Sequence, residues 1–242
     1  MRIAAIIQAR VNSTRLPNKV LRKINKKPML LVQLKRISFC RTFKQIIIAI
    51  PKGNKNDYLF SILEKNNHII FRGSEKNVLK RYYDAACKFK IDAIIRITSD
   101  NPLIPIEVID KVVNKFKTNK YDYVSNVLPL TFPLGCGVEM LSFKALEKVY
   151  LNAKSSYDKE HVTSFIHKNK KKFKIYNLAS KINLPKLRLT VDENKDFLLI
   201  KKIFNHFKPD IKFSLNKIIK LFEKNPHLFF INKNVKQKNF VK

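Results

Sequence analysis

The 242-residue chain is poor in several residue types, and each shortage narrows what it can be. No apolar run approaches the roughly 18–20 residues that a membrane-spanning helix needs. Cysteine occurs three times, at Cys40, Cys87 and Cys136, with no CxxC or CxH spacing. A structural zinc site is therefore not expected, and an odd, widely separated set reads as free thiols. Glycine occurs only four times. There is no Gly/Ser-rich linker and no GxxxxGK[ST] phosphate loop, and Gly73, Gly135 and Gly137 become backbone positions of interest. The opening stretch "MRIAAIIQAR" does not have the pattern of a secretion signal, because its short apolar run leads straight into Gln8 and Arg10. These features read as a cytoplasmic protein with no membrane partner.

Acidic residues are also scarce: 18 against 50 basic, for a net charge of +32. Such an imbalance raises nucleic-acid binding as a function. However, 40 of the 50 basic residues are lysine, and they are spread along the whole length. They gather in runs such as "KNKKKFK" and "KNVKQKNFVK", which read as solvated faces and a tail. No RNP-like, zinc-finger or recognition-helix signature accompanies them. A basic nucleic-acid-binding protein stays as the remote alternative, and the charge is read mainly as a compositional bias.

Hydrophobic residues make up 45% of the chain, enough for a sizeable core. Their order alternates between two patterns. "RIAAIIQ", "KQIIIAIP", "HIIFRG" and "DAIIRITSD" are short apolar runs, as expected of strands buried on both faces. "PMLLVQLKRISFC", "NDYLFSILEKN", "SEKNVLKRYYDAACKFK" and "PIEVIDKVVNKFKTN" have helical spacing, with Ser74 a candidate N-cap of the third. Further on, "YDYVSNV", "GVEMLS", "FKIYNLA" and "LRLTVD" read as strands. "FKALEKVYLNA", capped by Ser142, "YDKEHVTSFIHKN", "NKDFLLIKKIFNHF" and "SLNKIIKLFEKN" read as helices. The order predicts an α/β fold with a mostly parallel sheet and helices on both faces. One domain is expected over 1–225, with a small β-rich inserted subregion around 126–180 for acceptor binding or dimerisation, and a basic tail over 226–242.

In such sheets ligands bind beyond the carboxyl ends of the strands. The loop after the first strand, "ARVNSTRLPNK", masses Arg10, Arg15 and Lys19 with Asn12, Ser13 and Thr14. Guanidinium forks, an ammonium, hydroxyls and backbone N–H groups suit a polyphosphate; on charge alone a basic surface turn fits equally well. Asp100 ends a buried strand and precedes Asn101-Pro102, a position suited to holding Mg²⁺, a hard cation that favours oxygen. Asp192 ends "LRLTVD" in the same manner, although each aspartate alone also reads as a helix N-cap. Two carboxylates facing a cationic loop would make a nucleotidyl-transfer site.

These segments carry a resemblance. "IIQARVNSTRLPNKVL", "FRGSEKNVLKRYYDAA", "IIRITSDNPLI", "DYVSNV", "TFPLGCGVEMLSFKALE", "KEHVTSFI" and "LRLTVDENKDFLLI" stand in the order of the cytidylyltransferase family that includes the spore-coat polysaccharide protein SpsF. More distantly the chain is similar to the CMP-KDO and CMP-acylneuraminate synthetases. The resemblance implies a Rossmann-like, GT-A type nucleotidyltransferase fold, with CTP and a sugar or sugar acid as substrates. It implies Mg²⁺ as cofactor, pyrophosphate as product and surface-polysaccharide synthesis as the setting. Another NTP, a sugar 1-phosphate acceptor, or nucleotide binding without turnover are the alternatives.

Carried over, Ala9, Arg10, Asn12, Ser13, Thr14 and Arg15 would hold nucleotide and phosphates. Lys19 would hold the triphosphate, and Arg72, at a strand end beside Gly73, would also face the nucleotide. Asp100 and Asp192 would hold the metal, with Arg10, Lys19 and Asp100 as the catalytic set. Asn126, Glu139 and His161 would face the acceptor. For Asn126, Glu139 and His161 structural roles fit as well, and Arg72 and Arg81 have Glu75 and Asp84 as alternative partners. The chain departs from the family pattern where "LPGK" becomes "LPNK", "GDCP" becomes "SDNP", "GLDVE" becomes "GCGVE" and "VDTPEDF" becomes "VDENKDF". Asn18 tolerates the left-handed backbone that the first change requires. The synthetases are often dimers, which leaves a homodimer open.

Overall fold

The computed structural model describes residues 1–181, 184 and 186–237. Strand β1 (Ile3–Gln8) leads through a loop and a 3-10 turn at Lys19–Leu21 into a small antiparallel hairpin, β2 (Lys23–Ile24) and β3 (Lys27–Pro28). Alternating elements follow: α1 (Met29–Ile37), β4 (Gln45–Pro51), α2 (Asp57–Lys65), β5 (Ile69–Gly73), α3 (Val78–Lys88), β6 (Ala93–Thr98) and α4 (Ile106–Phe116). The second half adds β7 (Tyr123–Ser125), β8 (Glu139–Ser142), α5 (Phe143–Asn152), α6 (Ser156–His161), α7 (Ser164–Lys168), β9 (Ile175–Asn177), α8 (Asn194–Phe207) and α9 (Leu215–Lys224).

Among the described residues the main sheet has the order β5-β4-β1-β6-β8-β7-β9. β5, β4, β1 and β6 run parallel, whereas β8 is antiparallel to both of its neighbours. The apolar runs are continuous because successive side chains enter two different cores. In β1, Ala5 and Ile7 face the core built with α1, α2, α4, α8 and α9, while Ala4 and Ile6 face the one built with α3, α5 and α7. This sandwich matches the expected helices on both faces. β1 lies between β4 and β6, so the chain leaves it in opposite directions along the sheet. The crevice beyond Gln8 and Thr98 is the place where such a reversal opens a ligand site.

Several local expectations need correction. Asn77, not Ser74, caps α3: its side chain accepts from Lys80 N at 2.8 Å, and Ser74 Oγ supports Asn77 N at 3.1 Å. Ser142 does cap α5, accepting from Ala145 N. "LRLTVD" is not a ladder strand; it is extended chain with a single bridge, Leu134 to Arg188. "YDKEHVTSFIHKN" is broken into α6 and α7 by Val162, buried at φ 49°, a value costly for a β-branched residue. Segment 126–180 is not β-rich: it holds more helix than strand, and its strands β8 and β9 extend the main sheet.

The expected basic tail is partly structured as well. Pro226–Ile231 forms a 3-10 turn with Leu228 buried. Asn232 is buried behind α8, where it donates to Arg188 O at 3.1 Å and to Asp196 at 2.8 Å. The remainder of that tail, 238–242, lies outside the described residues.

Candidate functional site

The loop after β1 is shaped by its own backbone. Asn18 N donates to Val11 O at 3.2 Å, closing the loop on itself. Asn18 adopts φ 56°, the left-handed conformation that this turn needs and that asparagine tolerates. Val11 N is held from outside by Asn56 Oδ1 at 3.2 Å. The turn then starts the 3-10 helix at Lys19, whose side chain points inward under the end of the sheet.

At the end of β6, Gln33 of α1 donates one amide group to both Thr98 O, at 2.8 Å, and Asn101 O, at 3.0 Å, fixing the Thr98–Asn101 bend. Thr98 Oγ1 donates to Asp100 Oδ1 at 2.5 Å and orients that carboxylate. The extended segment before α8 docks on the same bend: Val191 N donates to Asp100 O at 2.8 Å. That docking carries Asp192 to the side of Asp100. Lys19 Nζ lies between them, 3.4 Å from Asp100 Oδ2, 3.2 Å from Asp192 Oδ1 and 2.8 Å from Val191 O.

Asp192 is the electrostatic centre of the cluster. Besides Lys19 it receives Arg15 at 3.0 Å and Arg188 at 2.8 Å. Burial pushes its carboxyl pKa up, but Lys19, Arg188 and Arg15 outweigh burial and hold it below the ordinary carboxylate value. Arg188 is itself pinned by the fully buried Asp196, whose carboxylate also accepts from Asp192 N at 2.9 Å and Glu193 N at 3.0 Å. The N-cap role, the alternative for Asp192, is taken by Glu193, in a reciprocal capping box with Asp196.

A cavity of about 350 Å³ opens over this cluster. Ala9, Arg10, Asn12, Ser13, Thr14, Arg15 and Lys19 form its loop side, Asp100 and Asp192 its floor, and His161 its far wall. Gln8, Arg81 and Arg96 also reach it. Arg10 extends across the mouth to Glu160, 3.5 Å away, with both groups about half exposed. Arg81 is buried and donates to Ser74 O; burial lowers its pKa to about 10. His161 sits at the end of α6, its ring 4.4 Å from that of Tyr157, and partial burial lowers its pKa. A second cavity, of about 290 Å³, adjoins the first and shares Arg15, Arg96, Thr98, Asp100 and Asp192 with it. Val127, Leu130 and Leu134 give this one an apolar wall.

Two sequence-based assignments fall elsewhere, and a third, Glu139, lies at the edge of the second cavity but is tied to structural partners. Arg72 does not line either cavity; it pairs with Asp57 at 2.6 Å and donates to Gly53 O. Asn126 is fully buried, and its amide bonds Cys136 O and Val138 N, bracing the turn before β8. Glu139 borders the second cavity, but Arg96 binds its carboxylate directly and Tyr123 donates to it at 2.5 Å. Burial pushes Glu139 up; the Arg96 charge and the His167 and Tyr123 hydrogen bonds win, and its pKa lies well below the usual carboxylate range.

Reading the sequence missed Arg96, Arg188 and Asp196. A lone arginine inside the apolar "AIIRIT" was a usable signal for Arg96. "ENKD", with acidic groups at capping-box spacing, was one for Asp196.

The donor set suits a divalent ion. Two carboxylates already converge on one ammonium, and hard oxygen ligands of that kind favour Mg²⁺. No group of three or more His, Cys, Asp or Glu side chains suited to a metal occurs among the described residues. An ion here would therefore complete its shell with phosphate or water oxygens.

Comparison with known proteins gives the same direction. The family model described as Cytidylyltransferase matches residues 4–240. The chain belongs to the cytidylyltransferase family. Its relatives within reach include protein MJ1063 of Methanocaldococcus jannaschii, 40% identical over 99% of this chain and 98% of that one. The spore coat polysaccharide biosynthesis protein SpsF of Bacillus subtilis is 30% identical, over 93% of this cytidylyltransferase-family chain and 95% of SpsF. Among solved structures, a cytidylyltransferase from Leptospira borgpetersenii serovar Hardjo-bovis superposes with a TM-score of 0.92 at 30% identity, covering 99% of this chain and 100% of that one. A CMP:2-keto-3-deoxy-manno-octonic acid synthetase complexed with CTP shares the fold at 13% identity, with a TM-score of 0.67 over 85% of this chain and 99% of that one. The fold is thus the Rossmann-like nucleotidyltransferase fold. No helix among the described residues is long and apolar enough to cross a membrane.

Proposed function

We propose that this family member transfers CMP from CTP to a hydroxyl of a sugar or sugar acid, releasing pyrophosphate, with Mg²⁺ held by Asp100 and Asp192. The carrying observation is the meeting of the cationic loop with two carboxylates, through Lys19, at the floor of one cavity. The family and the Leptospira borgpetersenii cytidylyltransferase support cytidylyl transfer, and the name of SpsF supports polysaccharide synthesis as the setting.

In this reading Arg10, Arg15 and the Asn12–Thr14 donors hold the triphosphate. Lys19 moves onto it and stabilises the charge that builds on the departing pyrophosphate. A bound divalent ion supplies neutralisation of the α-phosphate and its leaving group. Thr98 keeps the Asp100 carboxylate aimed, and Arg188 with Asp196 keeps Asp192 ionised and in place. The acceptor occupies the adjoining cavity, with its ring against Val127, Leu130 and Leu134 and its hydroxyl toward Asp100. His161 lines the nucleotide cavity only, and Arg96 borders both cavities.

The test is pyrophosphate release from each of the four NTPs with Mg²⁺ and a panel of 2-keto sugar acids and sugar 1-phosphates. CTP with one class of acceptor is expected to give product. Asp100→Ala is expected to lose at least about a hundredfold in rate with its circular dichroism unchanged. Release with CTP at full rate in that variant would remove Asp100 from the chemistry. Release with another NTP only would replace the nucleotide assignment.

A further inference from the structure

We propose that Lys19 is the resident cation of the two-aspartate site before nucleotide binds, so that a divalent ion enters this site only together with the triphosphate. The inference rests on the proposed nucleotidyl-transfer reading and adds an order of binding to it. Its basis is the position of one ammonium group. Lys19 Nζ makes contacts of 3.4 Å to Asp100, 3.2 Å to Asp192 and 2.8 Å to Val191 O. Two acidic oxygens and a carbonyl are the ligand types a hard cation would use. Lys19 therefore fills a cation position and does not simply point toward one.

The local charge balance sharpens the argument. Asp192 already has three cations around its single carboxylate: Arg188 at 2.8 Å, Arg15 at 3.0 Å and Lys19 at 3.2 Å. A divalent ion bridging Asp100 and Asp192 with those groups in place would meet strong like-charge repulsion at contact distance. The three cations differ in freedom. Arg188 is buried and doubly bonded to Asp196, so it stays. Lys19 is a point charge on a flexible four-carbon stem, and among the described residues Arg15 is tied elsewhere by a 3.4 Å bond to Lys236 O and a 4.0 Å pair with Glu193. Both belong to the loop that lines the cavity. A triphosphate in that cavity gives Lys19 and Arg15 a larger negative charge to move to. Their departure frees the facing oxygens of Asp100 and Asp192, and the incoming ion gains phosphate oxygens at the same moment. Metal and nucleotide affinities are then coupled, each raising the other.

The test reads metal binding directly, by water-proton relaxation with Mn²⁺ on the full chain and without any acceptor. Mn²⁺ alone is expected to bind the wild-type site weakly, and CTP to raise its affinity for the protein by about tenfold or more. Lys19→Met, which keeps most of the unbranched side chain and removes the charge, is expected to raise the affinity for Mn²⁺ alone by about tenfold or more and to shrink the CTP effect. Adding Asp192→Asn to Lys19→Met is expected to abolish that gain, which locates it. Equal wild-type affinity for Mn²⁺ with and without CTP would overturn the proposal, as would an unchanged affinity for Mn²⁺ alone in folded Lys19→Met or, if that variant does not fold, in Lys19→Gln. Equilibrium dialysis with labelled CTP separates the two readings. Absence of CTP binding would remove the cytidylyl-transfer reading, while the Mn²⁺-alone comparison would still decide the role of Lys19.

Discussion

Glu139 and Arg72 show how charged residues expected at the site can be taken up by structural partners. Glu139 is buried beside Arg96, Tyr123 and His167, and its pKa is depressed below the ordinary 4.5. A depressed acid stabilises the fold while ionised, so its contribution is complete above about pH 4.5 and is lost as pH falls below that value. Glu139→Gln removes the charge opposite buried Arg96 and is expected to cost about 3 kcal/mol. Thermal melts across pH 3–7 check both points: the variant should melt lower at neutral pH and lose less than wild type on acidification. Arg72, by contrast, pairs with a half-exposed Asp57 outside the cavities. Arg72→Ala is expected to change stability by less than about 1 kcal/mol and to leave CTP turnover near wild type; a tenfold loss of turnover would return Arg72 to the nucleotide site.

The turn between Leu134 and Val138 decides how two longer pieces fit together. Gly135 has φ 100°, and a Cβ there would lie 2.5 Å from the backbone of Leu189 and Thr190. Only a residue without a side chain lets the 187–191 segment pack this closely, and that segment is what carries Asp192 to Asp100. Gly137 is a milder case: its Cβ would meet only Val127 Cγ1, at 2.9 Å, a side-chain atom. Gly135→Ala is therefore expected to destabilise by more than about 2 kcal/mol and to depress turnover, with Gly137→Ala clearly less costly. Chemical denaturation of the two variants side by side measures the contrast. Equal effects would mean that the close backbone approach at Gly135 does not control the site.

Taken as one molecule, the chain closes its site with its far end. The helix α8, the turn at Pro226–Ile231 and Asn232 back the Arg188–Asp196 pair, and Gln237 accepts from Arg188 at 2.6 Å at the edge of the second cavity. Removing 226–242 is expected to expose Leu228's packing site and leave Asp196 short of a donor, for a loss of about 3–4 kcal/mol. A lower melting temperature with weakened CTP binding would be the result; unchanged melting would show the segment to be dispensable. The net charge of +32 is a property at this level too. It is spread over exposed lysines, whereas the chemistry of the site uses a few cations at the sheet's end.

The strand and helix alternation, the cationic loop and Asp100 at a strand end were legible from residue order, because apolar periodicity and loop chemistry are local properties. Asn18 in left-handed backbone and Ser142 as a cap belong to the same level. The reading of Ser74, Arg72, Asn126 and the tail went astray where a local motif had a distant competitor. Tertiary structure decided the rest. Lys19 meets Asp100 across 81 positions and Asp192 across 173. Arg96 finds Glu139 only because β6 and β8 pair antiparallel in one register. Such contacts depend on how separate elements dock, and docking is set by the two shared cores, so no local pattern along the chain encodes it.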